Sequence, residues 1–245
     1  MFSNPFLRFC LLCLLCLAPE GLKAQTVIDL HTGRISAKTK DDYNVETRER
    51  WQIERDSLEY IDCLTRAFNH LHTDSLLQAQ DLFERALRLR PDAPGNYVVE
   101  HNLGRIAMAR GQWREAVNRL DKVLQSQPSM ADAREDRAAC YLQLAMFDRA
   151  IRDYDNLLLQ HPHDPHLLLL KAVALTQAAA PYDALDIVDS IIAEHPDNAE
   201  AYLLRAEIHL GLKQPGYARR DIKLAAQRGL PDNEVQHFML RLEAE

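Results

Sequence analysis

Residues 131–164 read ADAREDRAACYLQLAMFDRAIRDYDNLLLQHPHD, with small and aromatic residues at regular helical spacing. Its first half places Ala138 and Tyr141 on one face of a helix, and its second half does the same with Ala150 and Tyr154. The stretch closes near a proline, which cannot continue a helix because it lacks a backbone N–H and restricts the residue before it. The spacing therefore predicts two short helices that are joined by a polar turn and packed against each other as an antiparallel pair.

The same pattern returns along the chain every 34 residues, with one step of 37. The second helix of each copy contains an alanine: Ala79, Ala116, Ala150, Ala184 and Ala218. Twelve residues earlier stands another small residue: Ala67, Gly104, Ala138, Ala172 and Ala206. Small side chains are expected where two helices cross closely. A single pair cannot bury both of its apolar faces, so the repeat predicts a stack in which neighbouring pairs cover each other.

Five units fall at residues 60–93, 97–130, 131–164, 165–198 and 199–232, with three residues inserted after the first. Characteristic residues of the second and third units are Gly104, Gly111, Trp113, Ala116 and Pro128, then Tyr141, Ala150, Tyr154 and Pro162. In these residues the sequence resembles the tetratricopeptide repeat family. The resemblance implies an all-α fold, a right-handed solenoid of about five antiparallel helix pairs over residues 60–232.

The two ends of the chain depart from the repeat. Residues 1–24 combine a basic start, an apolar run of ten residues and a small residue at a cleavage site, the pattern of a signal peptide, with an uncleaved anchor or a lipid attachment as alternatives. This pattern predicts an exported protein, periplasmic or secreted. We expect a loosely ordered arm over 25–41 and a lead-in helix over 42–59. Residues 233–245 are expected to form a helix that caps the last unit.

Two arginines stand where the family usually has leucine. Arg137 and Arg205 are each followed sixteen residues later by an aspartate, Asp153 and Asp221. The two helices of a pair face each other, so we predict a charge-assisted contact within each pair. The alternative is four separately solvated charges, since exposed ion pairs contribute little.

Two cysteines, Cys63 and Cys140, remain outside the predicted signal peptide, in the first and third units. Helix pairs stack at about 9–10 Å per step, whereas a disulfide needs Cα atoms within about 7 Å. The repeat therefore predicts two free thiols.

Catalytic signatures are absent from the sequence beyond residue 24, which contains no phosphate-binding loop, no HExxH, no GxSxG and no CxxC. We therefore expect no enzymatic activity and no cofactor. A net charge of −7 also disfavours non-specific nucleic-acid binding. One turn, with His161, His163 and His166, carries side chains suited to zinc or copper, although histidine is also an ordinary polar residue in a turn.

The resemblance implies that the first helices of the pairs line a concave groove. The residues expected there are His101, Arg105, Asp132, Glu135, Asp136, Leu169, Val173, Leu203 and Glu207. The three apolar residues predict an exposed floor beside an acidic middle, suited to a partner segment with basic and aliphatic side chains.

The sequence therefore predicts an exported, non-enzymatic scaffold that binds a protein or peptide partner, with no nucleic acid and no stable membrane insertion after cleavage. Two alternatives remain open: a metal-handling or enzyme-accessory protein that uses the histidine turn, and a structural spacer.

Overall fold

The computed structural model describes the backbone of residues 40–244 and the side chains of residues 48–243. The predicted signal peptide and residues 25–39 of the predicted arm lie outside the described residues. Within residues 40–244 no helix is both long and apolar enough to cross a membrane.

The described residues form eleven helices and no strand. They are α1 (Lys40–His72), α2 (Leu76–Leu89), α3 (Asn96–Ala109), α4 (Trp113–Ser126), α5 (Ala131–Gln143), α6 (Phe147–Leu158), α7 (Pro165–Gln177), α8 (Pro181–Glu194), α9 (Ala199–Gly211), α10 (Pro215–Gln227) and α11 (Asp232–Ala244). From α3 to α10 the helices pack in consecutive pairs, and each pair packs against the next. We call the first helix of a pair its A helix and the second its B helix. The all-α solenoid of antiparallel pairs is confirmed.

The chain divides into two compact units, one ending at Asp56 and the other beginning at Ser57. In the first unit the described residues belong to α1, and the side chains of 48–55 are exposed. No proline or glycine interrupts residues 40–72, so one helix replaces the predicted lead-in helix and the A helix of the first pair. Lys40 and Asp41, predicted as part of the arm, are its first residues.

Small residues form the crossing points within the pairs, as the repeat predicts. The five B-helix alanines, Ala79, Ala116, Ala150, Ala184 and Ala218, are completely buried. At Gly104 a Cβ atom would lie 3.2 Å from Cγ of Leu120 on the paired helix, closer than ordinary van der Waals contact. The close approach of the backbones explains why all five units have alanine or glycine at this place.

The turn inside each pair repeats one backbone geometry. One residue per turn has a positive φ: Asp74, Gly111, Ala145, Ala179 and Lys213, at 55–69°. The next residue donates its N–H to a carbonyl five residues back, as from Met146 to Tyr141 (2.8 Å) and from Ala180 to Leu175 (2.9 Å). This is the Schellman closure of a helix, for which glycine is the preferred residue. Four of the five turns use another residue.

The insertion between the first two units supplies a buried hydrogen-bonding residue. Asn96 donates from Nδ2 to the carbonyls of Arg90 (2.7 Å) and Pro91 (2.8 Å). Its Oδ1 accepts from the hydroxyl of Tyr60 at 3.0 Å. Both the nitrogen and the oxygen of the Asn96 side-chain amide therefore bind the inserted segment to the first pair.

The ion pairs predicted inside the third and fifth units are confirmed. The Arg137 guanidinium donates to both carboxylate oxygens of Asp153 at 2.9 and 2.7 Å. Arg205 holds Asp221 in the same way, at 2.9 and 2.8 Å. Burial would lower the pKa of these guanidinium groups, but the hydrogen bonds that they donate to the carboxylates raise it above its usual range.

Each of these cations also reaches a carboxylate of the preceding unit. Arg137 donates to Asp121 at 2.6 Å, and Arg205 donates to Asp189 at 2.6 Å. The equivalent cation of the fourth unit, Lys171, contacts Asp155 at 2.7 Å. A ladder of cations therefore connects the second unit to the fifth, and it sets the register between neighbouring pairs as well as within them.

Candidate partner-binding surface

The predicted groove residues lie on four consecutive A helices, α3, α5, α7 and α9. We call these nine residues, together with Leu170 and Glu200 beside them, the A-helix surface. Arg105, Asp132 and Glu207 are exposed. Glu135, Asp136, Val173 and Leu203 are half-buried, whereas His101 and Leu169 are buried. The nine residues thus fall into three classes of accessibility, which decides which of them a partner could reach.

Two of the charged groups bridge neighbouring A helices. Nε2 of His101 on α3 lies 2.9 Å from Oδ2 of Asp136 on α5. Nε2 of His166 on α7 lies 3.3 Å from Oε1 of Glu135 on α5. The acidic middle of the A-helix surface is therefore connected on each side to a histidine of the neighbouring A helix.

Other charges on the A-helix surface have no such partner. Arg105 and Asp132 are exposed, and neither makes an ion pair or a side-chain hydrogen bond to any residue that the structure describes. The same is true of Glu200 at the start of α9. Glu207 lies 3.4 Å from Arg241 of α11, the last helix, and both side chains are close to half exposed. Within residues 48–243, Arg105, Asp132 and Glu200 are therefore exposed charges of this surface without an ion pair.

The exposure predicted for Leu169 is wrong. Its side chain is 8% exposed and packs in a cluster that includes Ala172, Val188 and Leu204. The exposed side of α7 passes instead through Leu170, which is half-buried, and Val173. The predicted apolar floor is therefore mostly covered, because α7 is apolar on nearly every face and buries more of it than the prediction assumed.

An apolar layer lies beneath the acidic middle. Cys140 of α5 and Tyr154 of α6 are both completely or almost completely buried. Burial, with a smaller contribution from Asp136, raises the pKa of the Cys140 thiol to about 12. Burial likewise raises the pKa of the Tyr154 hydroxyl, helped by Glu135 and Asp153. Both groups stay neutral, so they contribute packing beneath the surface.

The histidine turn does not gather its three imidazoles around one point. His166 pairs with Glu135 on α5, while Nδ1 of His163 lies 3.5 Å from Oε2 of Glu194 at the end of α8. His161 is exposed. Within the side chains described, no group of three histidine, cysteine or carboxylate residues is arranged to hold a metal ion.

The prediction of two free thiols is confirmed. Cys63 and Cys140 are both buried and neither is in a disulfide. They lie in separate core clusters, one in the first pair and one between the second and fourth pairs.

Comparison with protein families identifies the repeat. A tetratricopeptide repeat model matches residues 74–133, 107–174 and 141–208, which together span more than half of the chain. The chain belongs to the tetratricopeptide repeat family.

Solved structures of the family share the fold at low sequence identity. MamA from Desulfovibrio magneticus RS-1, solved from residue 41 to its end, superposes with a TM-score of 0.62 at 14% identity, over 69% of this chain and 94% of that fragment. YrrB, described as a tetratricopeptide repeat protein with an unusual peptide-binding site, gives 0.60 at 16% identity, over 76% and 94%. A tetratricopeptide repeat protein from Parabacteroides merdae gives 0.55 at 19% identity, over 76% and 86%. At these identities the similarity concerns the fold alone.

Proposed function

We propose that this tetratricopeptide repeat protein is an exported, non-enzymatic scaffold that holds a segment of a partner protein along the A-helix surface. The observation that carries the proposal is the set of exposed charges on that surface, Arg105, Asp132 and Glu200, which have no partner among the described residues. By contrast, the half-buried Asp121 and the exposed Asp189 are engaged by the cation ladder. The free charges of the A helices are available to a ligand at no cost to an internal ion pair.

The charge of the A-helix surface indicates the chemistry of the partner. Five of its residues are carboxylates, Asp132, Glu135, Asp136, Glu200 and Glu207, and one is an arginine, Arg105. A basic segment would find complementary charge there, and its association would be steered by the field of the carboxylates.

Apolar contact would come from the side chains beside these charges. Leu170, Val173 and Leu203 are half-buried, so part of each remains available to an aliphatic residue. Because Leu169 is buried, this floor is narrower than the sequence predicts, and most of the recognition would be polar. YrrB indicates that the fold is compatible with holding a peptide.

Export rests on residues 1–24, whose pattern is that of a cleavable signal peptide. The test is N-terminal sequencing of the protein recovered from its own cells, together with cell fractionation. A mature chain that starts at Gln25 and lies outside the cytoplasm supports export. A chain that keeps its N-terminus in the cytoplasm contradicts it.

Binding is tested with fluorescent peptides that alternate lysine and leucine, compared with matched peptides that alternate glutamate and leucine. The variant Asp132→Lys with Glu200→Lys reverses two exposed carboxylates that make no internal ion pair, so the fold should be unaffected. We expect this variant to lose at least about tenfold in affinity for the basic peptide.

The matched control is Asp81→Lys with Asp92→Lys, which makes the same change of charge at exposed places on α2 and in the turn after it. It should bind like the natural protein. Equal losses in the two variants, or no preference for the basic peptide, would show that the A-helix surface is not the binding site.

A further inference from the structure

The exposed sides of two neighbouring B helices, α8 and α10, carry opposite charges at the same places in the unit. Asp186 on α8 and Arg220 on α10 are separated by one repeat length, and so are Asp189 and Lys223. All four side chains are exposed. The sign of the charge therefore reverses from one B helix to the next.

Most of these charges are unused inside the protein. Asp183 and Asp186 on α8 make no ion pair or side-chain hydrogen bond within the described part of the chain, and neither do Arg219, Arg220 and Lys223 on α10. Asp189 is the exception, because Arg205 holds it in the ladder. The cation ladder therefore pairs with one carboxylate of α8, and it leaves the three cations of α10 unpaired among the described residues.

A large aromatic side chain stands at the beginning of each of these two helices. Tyr182 on α8 is 68% exposed and Tyr217 on α10 is 61% exposed. The Tyr217 ring stacks on His209 with a centroid distance of 5.2 Å, which holds it at the surface. Exposed tyrosines beside unpaired charges are typical of protein interfaces, where aromatic residues are enriched.

A surface that contains charges of both signs on two neighbouring helices, here of 14 and 13 residues, is complementary in charge to a rotated copy of itself. In a two-fold dimer each patch meets the patch of the partner, so that a contact between residues i and j occurs twice. If α8 of one copy lies against α10 of the other, both contacts join carboxylates to cations. The tyrosines at the ends of the helices would be covered in the same arrangement.

We propose that this face is the interface of a two-fold homodimer, in which α8 of each protomer packs against α10 of its partner. The proposed occupant is a second copy of this chain, because its net charge of −7 repels other copies in general and leaves the α8–α10 face as a place of matched charge. The interface shares no residue with the A-helix surface, so the proposal stands apart from the peptide-binding function.

The test uses two charge-reversal variants of the protein expressed from its whole reading frame. One changes Arg220→Asp with Lys223→Asp, and the other changes Asp183→Lys with Asp186→Lys. Each variant alone would place like charges in both contacts of a homodimer. Mixed together, they form a heterodimer in which both contacts again join opposite charges. Sedimentation equilibrium at about 100 µM, a concentration that suits a weak interface, gives the masses.

We expect a dimer for the natural protein, dissociation constants at least about tenfold weaker for each variant alone, and recovery of the dimer on mixing. The control Arg88→Asp with Arg114→Asp changes the charge equally on α2 and α4, at exposed residues without an ion pair in the described structure, and should remain a dimer. A natural protein that is monomeric, a control that dissociates equally, or a mixture that stays monomeric would each overturn the proposal.

Discussion

Replacing Arg205 by leucine is expected to lower the free energy of unfolding by about 3 kcal/mol. The side chain of Asp221 is only 5% exposed, and Arg205 donates two hydrogen bonds to its carboxylate. Without the arginine this buried charge keeps only the imidazole of His209 nearby, at 3.8 Å. Removing one partner of a buried pair costs about 3–5 kcal/mol, and we take the lower end because Arg205 is itself 20% exposed.

Urea unfolding followed by far-ultraviolet circular dichroism measures this loss, and the melting temperature should fall by about 6–12 °C, at about 2–4 °C per kcal/mol for a chain of this length. The matched control is Lys171→Leu, at the same place in the fourth unit. Lys171 contacts only Asp155, which is half exposed, and an isoleucine replaces the buried aspartate of that unit. This control should lose less than about 1 kcal/mol.

A double variant separates the ion pair from simple packing. Arg205→Leu combined with Asp221→Leu removes both charges, so it should recover at least half of the stability that the single variant loses. Equal losses of unfolding free energy for Lys171→Leu and Arg205→Leu would contradict a buried ion pair at Arg205. So would a double variant that is no more stable than Arg205→Leu alone.

Three further predictions concern the turns, the insertion and the thiols. Ala179→Gly should raise the free energy of unfolding by about 0.5–1 kcal/mol, because φ at this residue is 59°. Gly111→Ala, at a residue where φ is 69°, should lower the free energy of unfolding. Thermal unfolding of the two variants measures the sign of each change. Asn96→Ala should lower the free energy of unfolding, measured in urea, by about 2 kcal/mol, because it leaves two carbonyls and a hydroxyl without their partner. A loss below about 0.5 kcal/mol would contradict the stabilising role of the Asn96 hydrogen bonds. Cys63 and Cys140 should be inert to a thiol reagent at pH 8 in the folded protein, because burial raises the pKa of both thiols, to about 12 for Cys140. Both should react in urea without a reductant. Fast labelling of the folded protein, or no reactive thiol in urea, would contradict this prediction.

The architecture could be predicted from the sequence because each unit repeats the same local rules. A buried alanine at the crossing, a turn and a terminating proline recur in register, so agreement among units reinforced a signal that would be weak in one. The contact between Arg137 and Asp153 was predictable because both residues lie in one unit. The contact to Asp121 was not, since it joins two units and depends on how neighbouring pairs are rotated.

The candidate surface was predictable only in outline. Successive residues of a helix differ by about 100° in direction, so assigning the exposed side of α7 to Leu169 instead of Leu170 rotates the surface by one residue. In α7 the sequence HLLLLKAVAL is apolar all round, and periodicity cannot decide between them. His101 was expected to face the groove, but it is buried, and its imidazole contacts Asp136 of the neighbouring A helix, α5.

Site-specific photo-crosslinking in cells tests whether a partner lies along the A-helix surface. A photoreactive residue is placed at Arg105 or Asp132 on the A helices, or at Asp81 on a B helix, all exposed. We expect crosslinks to one partner from Arg105 and Asp132 and none from Asp81. Crosslinks from Asp81 in equal yield, or none from the two A-helix positions, would contradict it.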